Sequence, residues 1–246
     1  MAKKKKKCVK GDSCGYSCIQ KGKICRKKFS EEVGNILESR STNSSPDMNP
    51  LGLPKTKDLI DSSFYDPNNE EAQAILKILE ENGVKEPQGT AAAIKRWSEG
   101  EYEEMRELDK AGTPNEDVKN FYEGYLDNPR IPTYDGQIYR GLTFKGDRAA
   151  LGEIFVSLSE GDSIELDALS SFSSDNKRAK RFAKGEGSVI ISVRKNKSGK
   201  SIQDLSTFRR EAEVVVPKGA KYRVVSNYIS NSGVFQGVRV VEVEEL

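Results

Sequence analysis

Between residues 56 and 246 the chain changes periodicity once, from helical to strand-like, and that single change leaves few architectures open. EEAQAILKILEEN carries apolar residues at helical spacing, and AAAIKRW and YEEMRELDKAG continue in the same way. TPNEDVKNFYEGYL opens a further helix, with Thr113 expected as N-cap and Pro114 at the first helical position. From residue 131 onward short β-rich runs take over: QIYRGLT, GEIFVSL, GSVIISVR, EAEVVV, KYRVVS and GVRVVEVE. Helices followed by strands read as one α+β unit over 56–246, its helical part 56–130 and its β-rich part 131–246. The full 246 residues leave room for such a domain plus a tail, or for two small domains.

Residues 1–55 read as that tail and its linker. The first 28 residues hold eleven Lys and Arg, including Lys3 to Lys7, against a single Asp12, and RSTNSSPDMNPLGLPK is turn- and linker-like. A solvated arm is one reading; a salt-sensitive contact with nucleic acid or another polyanion is the other. No apolar stretch follows the lysines, so a secretory signal peptide is not expected, and no apolar run approaches a transmembrane length. Cys8, Cys14, Cys18 and Cys25 lie within CVKGDSCGYSCIQKGKIC. Without an export signal they start in a reducing cytosol, which leaves a structural zinc, a disulfide pair or uncommitted thiols as readings; their spacing fits no common zinc knuckle.

Chemistry is suggested by Glu211 and Glu213 in FRREAEVVVPKG. Read as a strand, EAEVVV places Glu211, Glu213 and Val215 on one face, with the two carboxylates about 7 Å apart. Such a pair can divide a substitution reaction, one member stabilising a developing cation and the other steering the nucleophile. A solvated strand face is the ordinary alternative, and Glu242-Val243-Glu244 repeats the spacing, so spacing alone decides nothing. In QIYRGLTF, Arg140 shares the phase of Ile138 and Leu142 and should point toward the core. A guanidinium there needs an anionic partner, either an internal carboxylate or a ligand phosphate. In ALSSFSSDNKRAKRFAK, Ser174 or Asp175 is placed to cap a helix with an apolar stripe of Ala179, Phe182 and Ala183. Ser171 is too early to cap, and its hydroxyl suits the orientation of a neighbouring carboxylate.

With these elements in order, the chain resembles the mono-ADP-ribosyltransferases of the Arg–Ser–Glu class, which includes clostridial binary-toxin enzymes, Vip2-like toxins and phage-encoded transferases. The resemblance rests on Tyr139-Arg140-Gly141, Ser171-Phe172-Ser173 and Phe208-Arg209-Arg210-Glu211-Ala212-Glu213. Connecting text such as AIKRWSEGEYEEM and GEGSVIISV with GKSIQDLSTF extends it over roughly residues 88 to 243. Phe172 departs from the usual Thr. The resemblance implies a two-sheet mixed β core preceded by helices, NAD+ as co-substrate without a catalytic metal, and transfer of ADP-ribose to a protein arginine. It implies that Arg140 meets an NAD+ phosphate and Ser171 orients Glu213, with Ser173 and Tyr102 also on the NAD+ side. Glu213 faces the oxocarbenium ion, and Glu211 and Phe208 meet the acceptor.

Composition agrees. The chain has no histidine, which removes Ser-His-Asp and Cys-His catalysis and the histidine-containing class of ADP-ribosyltransferases. No phosphate-binding GxxxxGK[ST] loop and no GxGxxG after a strand support NTPase or Rossmann readings. Two other functions stay open: an NAD+ glycohydrolase toxin, and an inactive virion module that binds nucleic acid or capsid. The expected setting is the cytoplasm of a bacterial or phage-infected host cell, or a virion that delivers the protein there.

Overall fold

The computed structural model describes residues 12–14, 17–19, 69–144 and 149–246. In the tail, β1 (Asp12–Cys14) pairs antiparallel with β2 (Ser17–Ile19). The expectations on Cys8 and Cys25 lie outside the described residues, as do the side chains of Cys14 and Cys18.

Helix α1 (Glu70–Glu81) starts where the Asn69 side chain accepts from Ala72 N, and it buries Ala72, Ile75, Leu76 and Leu79 along one stripe. Helix α2 (Pro87–Arg96) has proline in its first turn and runs into a kinked segment, Trp97–Glu101. There Gly100, at φ 118°, kinks the chain into α3 (Tyr102–Ala111). Helix α4 (Glu116–Phe121) begins later than the sequence suggests. Asn115, not Thr113, is its cap, because the Asn115 side chain reaches Val118 N at 3.0 Å and Pro114 stays outside the helix. Arg96 of α2 bonds both Asp117 oxygens of α4, at 2.6 and 2.8 Å, so the helices are tied by a forked ion pair as well as by apolar packing.

The sheet that follows is mixed. Its strands are β3 (Ile138–Leu142), β4 (Ser163–Glu165), β5 (Ser170–Ser173), β6 (Val189–Val193), β7 (Lys200–Ser201), β8 (Glu213–Val216), β9 (Lys221–Ile229) and β10 (Arg239–Glu245). They lie in the order β4-β9-β10-β6-β3-β5-β8-β7, with β6 and β10 parallel and the remaining pairs antiparallel. The α+β class therefore holds. Hydrogen bonding joins all eight strands in one sheet, where the resemblance implied two. The join is narrow, since β3 and β5 share only the pair Tyr139–Ser173.

One expected strand is a helix. GEIFVSL belongs to α5 (Ala149–Ser157), which begins in Ala-Ala-Leu upstream of the run. Phe155 and Leu158, three residues apart, are buried against the sheet while Val156 is exposed, a helical and not an alternating pattern. This face of the sheet packs Ile138, Leu142, Phe172, Val214 and Tyr222 with Phe155. The opposite face meets the helical layer through Val215, Leu169 and Trp97, and meets α6 (Asn176–Phe182) through Ala179, Ile190 and Val240. Asp109 of α3 accepts from Leu169 N at 2.7 Å and from Tyr122 Oη at 3.2 Å, pinning the helices to the approach of β5. Burial raises the Asp109 carboxyl above its ordinary pKa even with those donors present.

Candidate active site

Strand pairing alone brings three of the singled-out side chains together. β5 and β8 run antiparallel with Ser171 opposite Val215 and Ser173 opposite Glu213, so Ser171, Ser173 and Glu213 share one face. Glu213 is only 8 % exposed. Its Oε1 accepts from the Ser171 hydroxyl and from the Trp97 indole Nε1, the latter at 2.9 Å. A buried carboxylate gripped by two such donors is held in one orientation.

Glu211 arrives by another route than the sequence suggests. β8 starts at Glu213, whereas Arg209–Glu211 form a 3-10 turn and Ala212 takes a left-handed conformation at φ 48°. The two glutamates are thus not strand neighbours on one face. What overrides the strand pattern is a set of bonds from β5: Ser173 Oγ donates to Glu211 O at 2.7 Å, and Ser174 bonds Ala212 O through both N and Oγ. Ser173 also accepts from Asp175 N at 3.1 Å, and Asp175 itself caps α6. Even so, Glu211 and Glu213 line one pocket with Ser171 and Ser173. The other wall is Tyr139 and Gly141 of β3 with Ala179 and Phe182 of α6.

Arg140 does not line that pocket. It lies on the core side of β3, as its phase with Ile138 and Leu142 predicted, and is 0 % exposed with its guanidinium carbon 5.7 Å from the Phe172 ring centroid. Phe172, on the same core side of the sheet as Arg140, also borders the pocket. Tyr102 packs edge-on against Trp97 at 6.2 Å, outside the pocket lining. Phe208 opens the Glu211 turn and is 51 % exposed. The second E-x-E pair is a true strand pair engaged elsewhere: Glu242 accepts from Arg194 and Ser226, and Glu244 from Arg223.

Sequence reasoning missed four contributors. Trp97 sits in AIKRWSEGEYEEM, where an aromatic was noticed without a role, and its partner is 116 positions away. Phe182, expected in an apolar stripe, is 40 % exposed and borders the pocket. Gly141 lets α6 approach: a Cβ there would stand 2.0 Å from Ala179 O. Thr143 donates to Phe182 O and accepts from Lys184 N, fixing the end of α6. A glycine and a threonine after a strand carry no local signal for such contacts. The Glu211 turn is also tethered to the helices, by Thr207 to Glu99 at 2.9 Å and by Arg209 to Glu71 at 3.0 Å. Among the described residues no cluster of His, Cys, Asp and Glu could hold a metal ion, and no helix is long and apolar enough to cross a membrane.

Residues 123–243 match the ADP-ribosyltransferase exoenzyme family. The NAD(+)–protein-arginine ADP-ribosyltransferase Tre1 of Serratia proteamaculans is 31 % identical over 102 residues, which are 42 % of this chain and 20 % of that relative. The chain thus spans about a fifth of the length of the curated relative it matches. Among solved structures, the ADP-ribosyltransferase HopU1 of Pseudomonas syringae pv. Tomato DC3000 aligns over 89 % of this chain and 97 % of its own, with 14 % identity and a TM-score of 0.51. Plx2a, an ADP-ribosyltransferase toxin from Paenibacillus larvae, aligns over 71 % and 92 %, with 13 % identity and a TM-score of 0.52. At such identities the structures speak for the fold. Residues 123–243 are thus similar to the ADP-ribosyltransferase exoenzyme family, and the solved structures share the fold.

Proposed function

We propose that the protein transfers ADP-ribose from NAD+ to an arginine side chain of a target protein. The observation that carries this reading is the buried Glu213 carboxylate, held by Ser171 and Trp97 in a pocket that Glu211 also lines. The name of the Serratia relative adds the arginine acceptor.

In the proposed reaction the bond between the ribose C1 and the nicotinamide nitrogen breaks, and its electron pair leaves with nicotinamide. Positive charge then grows on C1 and its ring oxygen. Glu213 faces that charge, and such preset electrostatic partners are commonly worth about 3–4 kcal/mol of barrier. A guanidino nitrogen of the acceptor forms the new bond to C1 and gives up a proton, which Glu211 accepts. The free guanidinium has a pKa above about 12, so the proton leaves during attack and not before it. Ser171 orients Glu213, and Ser173 holds the Glu211 turn. Phe208, exposed on that turn, meets the acceptor. Arg140 is assigned to an NAD+ phosphate. Tyr102 acts through Trp97 on the nicotinamide side.

Residues 56–246 are proposed as the transferase domain and 1–55 as its tail. In the tail, Cys8, Cys14, Cys18 and Cys25 are read as a zinc site, as disulfides or as free thiols, which metal analysis and thiol titration distinguish, and its lysines as a polyanion contact, which salt-dependent binding tests. Action inside a bacterial or phage-infected cell belongs to the same proposal. The decisive experiment incubates the protein with labelled NAD+ and a bacterial lysate, then maps the labelled residues. ADP-ribose on arginine supports the reading. Label on asparagine, cysteine or a nucleobase would overturn the arginine assignment, and release of nicotinamide without any label would favour the glycohydrolase.

A further inference from the structure

We propose that Trp97 is a positioning residue for the transfer, its indole N–H holding the Glu213 carboxylate in the orientation that faces the reacting ribose. The proposal rests on the transferase reading for its effect on rate.

Trp97 is the chain's single tryptophan and is 1 % exposed. Its ring is fixed by edge contacts with Phe121, 5.7 Å between centroids, and with Tyr102. A buried indole N–H needs some acceptor, and a backbone carbonyl would serve. Here the acceptor is the carboxylate of the candidate site, and a hydrogen bond to an ionised group is roughly twice as strong as a neutral one. Trp97 and Ser171 converge on the same oxygen, one from the helical layer and one from the sheet, so Glu213 is gripped from both sides. The kinked segment that carries Trp97 also carries Glu99, which accepts from Thr207 ahead of the Glu211 turn. One five-residue segment thus touches the supports of both glutamates.

The test reads the tryptophan itself. Its emission in the full chain is followed from about pH 8 down to about pH 4, the range in which a carboxylate near a donor gains its proton. Titratable groups near Glu213 or the indole include Tyr139 and Glu211 in the pocket, Tyr102 on α3, and Glu99 and Glu101 on the kinked segment. The expected result is an emission transition that coincides with the acid limb of NAD+ hydrolysis and disappears in Glu213→Gln, which separates it from Glu211 and Glu99. Replacing Trp97 by β-(3-benzothienyl)alanine keeps the ring shape and deletes the N–H. That variant should lose about 10- to 100-fold in kcat, with an unchanged KM for NAD+ and an acid limb moved to higher pH. Trp97→Phe should change in the same direction; the isostere and the wild-type emission decide the matter if that variant does not fold. An emission transition that survives in Glu213→Gln, or an isostere with full kcat and an unmoved acid limb, overturns the inference. A fully active Glu213→Gln would overturn the transferase reading instead, while the emission would still report whether Trp97 and Glu213 are coupled.

Discussion

Gly141→Ala adds one methyl group, and the structure says where it goes. The new Cβ would lie 2.0 Å from Ala179 O, 3.0 Å from Ala183 N and 3.1 Å from Ala179 C, all backbone atoms of α6 and its end. In a strand, Gly→Ala ordinarily stabilises by about 0.5–1 kcal/mol through reduced chain entropy. Here no side-chain rotation can relieve the overlap, so α6 must move by more than roughly an ångström, and overpacking of that kind costs about 1–3 kcal/mol. The overlap wins, and for a domain of this size the loss corresponds to about 2–12 °C in Tm. Activity should suffer more than stability, because α6 supplies Ala179 and Phe182 to the pocket wall. A misplacement near an ångström can cost on the order of 100-fold in rate. Thermal unfolding followed by fluorescence, with NAD+ hydrolysis measured well below the new Tm, tests both parts. A Gly141→Ala protein with unchanged Tm and unchanged hydrolysis would refute the close approach of α6 to β3 and the wall it builds.

Three other predictions follow from particular contacts. Glu211→Gln should strongly suppress arginine modification while sparing much of the slow NAD+ hydrolysis, since water needs no carboxylate to orient it; equal losses in the two assays would place Glu211 on the NAD+ side. A chain beginning near Lys55 should unfold cooperatively and modify a small guanidino acceptor at close to the full-length rate, and loss of both on truncation would show that the tail is structural. Burial works to raise the pKa of Glu242, but hydrogen bonds from Arg194 and Ser226 with the Arg194 charge outweigh it and hold the group below its ordinary value. A folded-state pKa below the unfolded one means stability that is present above the unfolded pKa and lost as pH falls through the folded pKa. Wild type should therefore lose more Tm than Glu242→Gln on acidification below 4.5, and parallel curves would contradict that sign.

The local period of the chain was enough for α1, β3, β6 and β10, because a stripe or an alternation records which side of an element is buried, whatever it is buried against. It was also enough to turn Arg140 toward the core. The absence of histidine and the order of the Arg, Ser and Glu segments narrowed the chemistry before any coordinates. Tertiary structure decided what depends on a distant partner. GEIFVSL alternates well enough for a strand, yet its neighbours upstream and the packing of Phe155 on the sheet make it a helix. EAEVVV would pair its glutamates on one face, but bonds from Ser173 and Ser174, 38 positions away, fold Glu211 into a turn and leave Ala212 left-handed. No local pattern could link Trp97 to Glu213 or seat α6 on Gly141. Those contacts form only when strand order has closed the chain, because a hydrogen bond or a van der Waals limit belongs to a pair of groups while periodicity belongs to a segment.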